Sequence, residues 1–550
     1  MSWRTPPEPI EKSLMKEVYD ADVVVVGLGY AGTTAFRGAQ EAGASTIGIE
    51  FQKEERYTGY GRDIGHLNSK FLKERGVPEV DPIEFYNEWM RRAGNRANGE
   101  LVMKFAQKSG DTFDWFTDVM DEEGFKNMHV AFWPNGNEKF KEEARNGGFI
   151  LNGYRFWNGT AQFPDPSPMG WPGHPSLPEV AKLNQDKAVA QGARAFYGIE
   201  AMQLVKTGDR ITGVIGKDRE GNYYQYNARK GVILATGDFS ANQEMLQELA
   251  IDITDLYTPD EKPMRNGGRN GRGIQMGVWE GARLETRPLP TMGGNQIGGM
   301  GGYCPFGGVW LDREGKRFCN EVFGGNELVG LSGNQTVRGE MYTVFDEHCL
   351  ENELSYAVPA HGGFDVSVGG AVEKLKSLFE FAKENPELGK YESAPGPSAP
   401  GPGPGGSRKP DVIFYGRTPE ELAKNAGLEG KAAETFAKSL HRYNEFCAAG
   451  RDEDFGRDPK VLDPLTDMLF VQISPPARFG FMLVTVGGLV TDGDQQVFDM
   501  NYEKIPGLYA TGNCCGRRFG TQYFTPISGV SIGIAMTLGR EAGIAAANAE

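Results

Sequence analysis

Four valines in a row, Val23–Val26, follow Ala21-Asp22 and run straight into Gly27-Leu28-Gly29-Tyr30-Ala31-Gly32. A short β-branched run that ends on glycine predicts a strand buried on both faces of a parallel sheet. The next stretch, TTAFRGAQEAG (Thr33–Gly43), is alanine-rich and predicts a helix. Ser45–Ile49 predicts a second strand, ending at Glu50. Further on, Lys206–Tyr226 predicts short strands joined by the turns TGDRITG and DREGN. Lys230–Gly237 (KGVILATG) again runs an apolar strand into a glycine turn, and Ile505–Asn513 (IPGLYATGN) repeats that form near the C-terminus. Ser531–Ala547 predicts a final helix. Strands that alternate with helices in this way predict an α/β fold.

Each part of the first unit has a physical task. Gly27 permits the tight turn, and Gly29 lets a pyrophosphate approach the backbone. Gly32 lets helix and strand pack closely, while the helix N-terminus faces the phosphates. Glu50 falls 18 residues after Gly32, where a carboxylate can hold both hydroxyls of a ribose and disfavours a 2′-phosphate. Tyr30 and Ala31 lie inside the same turn. The βαβ unit predicts dinucleotide binding but does not separate FAD from NAD.

Composition narrows the class. The chain has 550 residues, enough for two to four domains. A net charge of −16 argues against nucleic acid and against docking on an anionic membrane. No apolar run predicts membrane insertion. The N-terminal arm, residues 1–19, is polar and has no apolar core of a targeting segment. Six cysteines without a C-x-x-C pair exclude zinc ribbons, covalent c-type haem and cysteine-rich clusters, and no metal site is expected. That pattern suits a reducing cytoplasm.

Five ordered motifs carry a resemblance. They are the N-terminal glycine unit, ILATGDFSAN (Ile233–Asn242), GKRFCNE (Gly315–Glu321), VTVGGLVTD (Val484–Asp492) and GLYATGN (Gly507–Asn513). Together they resemble the FAD-dependent fumarate reductase/succinate dehydrogenase flavoprotein superfamily, which includes the 3-ketosteroid dehydrogenases. The active-site pattern is also similar to gut-bacterial FAD reductases of the tetrahydrodaidzein reductase type. The resemblance implies a Rossmann-like FAD-binding domain in two pieces, residues 20–295 and 475–550. An inserted α+β capping domain, residues 296–474, would close over flavin and substrate. It implies cofactor contacts at Phe51, Gly61 and Asp63, at Ala235-Thr236-Gly237, at Gly512-Asn513, and at Ser528, Val530 and Ser531. The last helix would aim its N-terminus at the flavin, where it stabilises negative charge. Members with covalent FAD use a histidine in an H-T motif; the corresponding stretch here, TGYGRDIGHLNSKF, contains His66 but no H-T, so non-covalent FAD is expected.

Three positions bear on chemistry. Dicarboxylate reductases of the superfamily carry histidine where this chain has Val484, and an apolar group cannot hold a carboxylate. Four residues after Glu321, where relatives carry an arginine or tyrosine proton donor, stands Gly325. Ten residues after Asn513, fumarate reductases carry the substrate arginine and ketosteroid 1-dehydrogenases a ketone-binding tyrosine; here it is Tyr523. A phenol polarises a carbonyl and stabilises enolate character. The resemblance therefore implies hydride transfer between flavin N5 and a carbon of an apolar, cyclic, carbonyl-bearing or conjugated substrate, run as a reduction. Candidate catalytic residues are Tyr523, Arg518, Tyr303 and Ser528.

Alternatives stay open. One is a 3-ketosteroid dehydrogenase in the oxidative direction. Another is a reductase of small unsaturated acids with Arg517 and Arg518 as a carboxylate clamp. The electron source is either NADH visiting the flavin transiently or a redox partner protein. The aromatic-rich stretch Phe132–Trp171 reads as a pocket wall or as loop packing. Residues 393–410, SAPGPSAPGPGPGGSRKP, predict an extended excursion from the cap. Vicinal Cys514-Cys515 reads as compact packing rather than a strained disulfide.

Overall fold

The computed structural model describes residues 2–59, 61–131, 133, 141–165, 171–251, 269–292, 308–321, 340–349, 371–393, 411–474 and 484–550. Tyr303, Gly325, Phe132 and nearly all of the 393–410 excursion lie outside them.

Its centre is an eight-stranded sheet built from β1 (Met15–Val26), β2 (Thr46–Glu50), β3 (Arg194–Tyr197), β4 (Glu200–Thr207), β5 (Arg210–Lys217), β6 (Tyr223–Leu234), β7 (Gln496–Phe498) and β8 (Lys504–Ala510). The main order is β7-β8-β6-β1-β2-β3. The pairs β8/β6, β6/β1, β1/β2 and β2/β3 are parallel. Antiparallel β5 leans on the first half of β6 and carries β4 outward. β1 starts well before the valine run. Its first half is largely solvent-facing, whereas Val23–Val26 are buried, so only the second half shows the apolar signature. The arm is docked rather than purely polar. Trp3 is buried against the sheet core, and its indole Nε1 donates to Glu248 at 2.6 Å.

Helix α1 (Tyr30–Glu41) covers one face of the sheet. The C-terminal helix, α5 (Val530–Ala547), packs beside it, with Ala542, Ala546 and Ala547 in the same core as Ala35 and Ala39. By length and composition α5 could cross a membrane, but 72% of it is buried inside the protein. Between β2 and β3 the chain adds α2 (Pro82–Arg92), α3 (Gly99–Thr117) and α4 (Leu177–Ala190). It also adds a small sheet of Asp63–Gly65, Thr160–Gln162 and His129–Val130.

A second sheet of five strands is built wholly from the 309–474 stretch, in the order Val309–Leu311, Met341–Asp346, Leu469–Ser474, Val412–Gly416, Lys390–Glu392. The long helix Gly430–Ala449 packs on it through Phe436, Leu440 and Tyr443. The two passages between the sheets run side by side, because Thr291–Met292 pairs antiparallel with Val484–Thr485. A buried charge network, Arg317 with Glu321 and Asp452, stiffens the second unit. Asn152 N–H donates to Asp458 across the boundary at 3.1 Å, and Lys460 reaches Glu143 at 2.6 Å.

Candidate active site

The turn after β1 is formed by close approach. Gly27 has φ +92°, and a Cβ there would meet the Ala235 carbonyl. A Cβ on Gly32 would overlap the Gly27 carbonyl. Gly29 caps α1, and a Cβ on it would meet nothing within 4 Å, so the helix N-terminus opens onto free space there. The turn after β6 joins it: Ala235 N–H donates to Val26 O at 2.9 Å. Gly512, with φ +59°, comes against the Ala31 methyl. Gly27, Ala31, Gly32, Ala235 and Gly512 therefore meet at one place, from segments up to 485 residues apart (512 − 27).

Glu50 is buried at the end of β2. Its two oxygens accept from Leu28 N–H at 2.7 Å and Gln52 N–H at 2.9 Å, which fixes the carboxylate and leaves further lone pairs available. Phe51 beside it is 58% exposed. The Thr236 hydroxyl accepts from Gly273 N–H, and Gly237 adopts φ +85°. Gly61 lies against Ile532 in the first turn of α5, and Asp63 begins the small sheet that supports that turn. The Tyr30 and Thr511 hydroxyls are buried without a hydrogen-bond partner among the described residues. An open helix N-terminus, a ribose-ready carboxylate and partnerless buried hydroxyls fit a dinucleotide cofactor.

At the other end, Gly529 caps α5 with φ +70°. Thr160 Oγ1 lies 2.9 Å from Ser528 O and 2.8 Å from its hydroxyl, and Gly65 N–H donates to Gly529 O. Tyr523 is buried, and its hydroxyl oxygen accepts from Ser531 N–H at 2.9 Å. So Tyr523 and Ser528, from the preceding loop, meet Val530 and Ser531 at the N-terminus of α5. The loop that carries Tyr523 is clamped from α2 and α3. Trp89 Nε1 donates to Arg518 O at 3.0 Å, Arg92 Nη1 to Thr525 O at 2.8 Å, and Asn98 N–H to Arg517 O at 2.6 Å. Arg92 is held in turn by Glu88 at 2.8 Å and by the rings of Phe156 and Phe524. None of these clamps is visible in the sequence beyond the i,i+4 spacing of Glu88 and Arg92.

The two neighbouring arginines separate. Arg517 has φ +53° and turns outward to Tyr502 at 3.1 Å. Arg518 turns inward and is fully buried. Glu285, which the sequence did not single out, accepts from Gly488 N–H and Arg517 N–H at 2.8 Å each. Burial pushes its carboxyl up to about 7. Cys514 and Cys515 are free buried thiols. Burial raises both, Cys515 to about 11, so neither is a thiolate at neutral pH. Among the described residues no His, Cys, Asp and Glu cluster fits a metal. His66 is packed: it stacks on Phe113 at 3.9 Å, and its ring nitrogens meet Ile64 O and the Ser69 hydroxyl. Burial lowers it to about 3, so it stays neutral. Phe156, Trp157 and Phe163 are buried in hydrophobic cores, which is loop packing rather than a wall for these three.

The FAD binding domain family matches residues 22–532. A vinyl phenol reductase of Lactiplantibacillus plantarum is 25% identical, with 95% of each chain covered. A fumarate reductase (cytochrome) of Shewanella frigidimarina is 24% identical over 96% of this chain and 77% of its own. Among solved structures, a 3-ketosteroid-Δ4-(5α)-dehydrogenase from Rhodococcus jostii RHA1, in complex with 4-androstene-3,17-dione, superposes with TM-score 0.62. Its identity is 21%, and 98% of this chain and 99% of that one are covered. The chain belongs to the FAD binding domain family. Within that family it is an FAD-dependent oxidoreductase related to fumarate reductases.

Proposed function

We propose that this enzyme reduces a carbon–carbon double bond conjugated to a ring or a ring ketone, in an apolar cyclic substrate. The observation that carries the reading is Tyr523, a buried loop phenol whose hydroxyl meets the N-terminus of α5. Its oxygen accepts from Ser531 N–H, and a phenol that accepts a bond still keeps its own O–H as a donor. That N–H, at a helix N-terminus, also eases any negative charge the phenol takes on. Tyr523 would polarise a substrate oxygen, or protonate a neighbouring carbon, as charge develops. Bound FAD supplies the hydride chemistry. The nucleotide end would be held by Gly27, Gly29, Tyr30, Ala31, Gly32 and Glu50, with Phe51, Gly61 and Asp63 beside it. The turns Ala235–Gly237 and Gly512-Asn513 would hold its middle, and Ser528, Val530 and Ser531 its flavin end. The cofactor is non-covalent in this reading, since His66 is committed to Ser69 and Phe113.

Val484 supports an apolar substrate, being a half-buried valine in the strand pair that joins the two sheets. The outward turn of Arg517 weighs against a two-arginine carboxylate clamp. The name of the vinyl phenol reductase describes an acceptor with a double bond conjugated to a phenol ring, which fits the same chemistry. Electrons come from NADH or from a redox partner protein, and Tyr303 stays a second proton-donor candidate.

The test is anaerobic reduction followed by stopped-flow reoxidation against vinyl phenols, enones, steroids, isoflavonoids and unsaturated acids. Conjugated ring acceptors are expected to reoxidise the flavin faster than fumarate. Tyr523→Phe should keep FAD and lose roughly 10²–10⁴-fold in turnover. Full activity in that variant, or fumarate as the fastest acceptor, overturns the reading.

A further inference from the structure

A guanidinium buried in a protein ordinarily lies against a carboxylate, because an uncompensated interior charge is costly. Arg37, Arg92 and Arg317 obey this, paired with Asp118, Glu88 and Glu321. Arg518 does not. It is 0% exposed, yet no carboxylate of the described residues lies within 4.0 Å of it. Its Nε donates to Cys515 O at 2.9 Å, and its Nη2 donates to Val486 O at 2.8 Å and to Asn513 Oδ1 at 2.9 Å. Its Nη1 is buried with no acceptor. Glu285, a carboxyl close enough to influence it, turns its two oxygens to backbone N–H groups instead.

Arg518 also sets its neighbour. A guanidinium has only donors, so the Asn513 atom that faces it must be the carbonyl oxygen. The amide nitrogen, Nδ2, is thereby turned away, and no described residue accepts from it. Two donors, one of them cationic, thus lack an acceptor among the described residues, on side chains joined by the Nη2–Oδ1 bond. They lie on the loop that leads to Tyr523 and the first turn of α5.

We propose that Arg518 Nη1 and Asn513 Nδ2 form a site for a delocalised oxyanion on a planar conjugated ring. The inference rests on the reading of this loop as the wall of the cofactor and substrate space. A charge-assisted bond to a buried cation is stronger than a neutral one, and the surrounding low dielectric increases its effect. The oxyanion has two sources with one chemistry. It is the pyrimidine edge of the cofactor's own ring in its reduced form, or a phenolate or enolate oxygen of the substrate.

Two measurements on the FAD-loaded enzyme separate the sources. The first is an anaerobic potentiometric titration without substrate, for the wild type, Arg518→Met, Arg518→Lys and Asn513→Asp. Loss of the cation should lower the two-electron midpoint potential, by about 30 mV for each tenfold loss of preference for the reduced form. The second is a pH titration of 4-nitrophenol bound to the oxidised enzyme, followed by phenolate absorbance. The wild type should depress the pKa of the bound phenol, and Arg518→Met should return it toward the solution value with roughly tenfold weaker phenolate binding. Asn513→Asp places a carboxylate against Arg518 and should shift both readouts in the same direction while the arginine stays, which keeps the test open if Arg518→Met loses FAD. Arg518→Lys keeps the charge and should fall between. A shift in potential alone assigns the site to the cofactor, and a shift in phenol pKa alone assigns it to the substrate. Unchanged potential and unchanged phenol pKa in Arg518→Met and Asn513→Asp overturn the proposal. A failed Tyr523 test with either shift present would instead indict the substrate reading and leave this site standing.

Discussion

Glu285 shows how much of this site is set by single residues far from any motif. Its carboxylate ties the Gly487-Gly488 turn to the Arg517 loop through two backbone N–H groups. Burial holds its pKa near 7, against about 4.5 for an unburied glutamate. The folded state therefore binds the proton more tightly than the unfolded chain does. The stability this contributes is complete below about pH 4.5 and is lost as pH rises through about 7. Glu285→Gln removes the titration, so the fall of Tm between pH 4.5 and 7 should be shallower in the variant. The glutamine also leaves one backbone N–H without its acceptor, a pH-independent cost of about 1–3 kcal/mol. Thermal denaturation of both proteins across that window separates the slope from the offset; parallel curves would remove Glu285 as the titrating group. The sequence around Glu285, ARLETRP, carries no sign of this, because the partners lie 203 and 232 residues away.

At the scale of elements, α5 is placed by small residues. A Cβ on Gly539 would collide with the Ala31 carbonyl and the Thr34 hydroxyl, and one on Gly543 with the Ala35 carbonyl. These glycines cost helix propensity, roughly 1 kcal/mol each relative to alanine. What they permit is contact between α5 and α1, the two helices whose N-termini face the proposed cofactor. Gly539→Ala should force the pair apart, destabilise the protein by about 1–3 kcal/mol and weaken FAD retention. Equilibrium unfolding and FAD release, measured by fluorescence, check both; a variant more stable than wild type would contradict the packing. The elements themselves were largely legible. The valine run, KGVILATG and IPGLYATGN are the central strands β1, β6 and β8, and Ser531–Ala547 is α5 to within one residue. The outer half of β1 was not, since half-exposed strand residues such as Lys16 and Glu17 lack an apolar pattern.

Over the whole molecule, two sheets are joined by paired crossings at 291–292 and 484–485, and the chain returns after almost 200 residues to complete the first sheet. The parallel β6 of that sheet lies between β1 from the start of the chain and β8 from near its end. Precipitation of the holoenzyme with acid should leave FAD in the supernatant, because every polar contact of His66 is made within the protein. Flavin that stays with the pellet would refute non-covalent binding. The sequence by itself determined the βαβ unit, the repeated strand-to-glycine turns and the family, because these depend on local periodicity and on where a Cβ is intolerable. The resemblance to the superfamily also brought forward Tyr523, at the position ten residues after Asn513. Only the tertiary structure decided that Arg517 turns out and Arg518 in, that Glu88, Trp89 and Arg92 clamp the Tyr523 loop, and that a buried guanidinium is left without a carboxylate among the described residues. The reason is physical: burial, and the partners a buried charge finds, depend on segments brought together across hundreds of residues, and no local pattern records them.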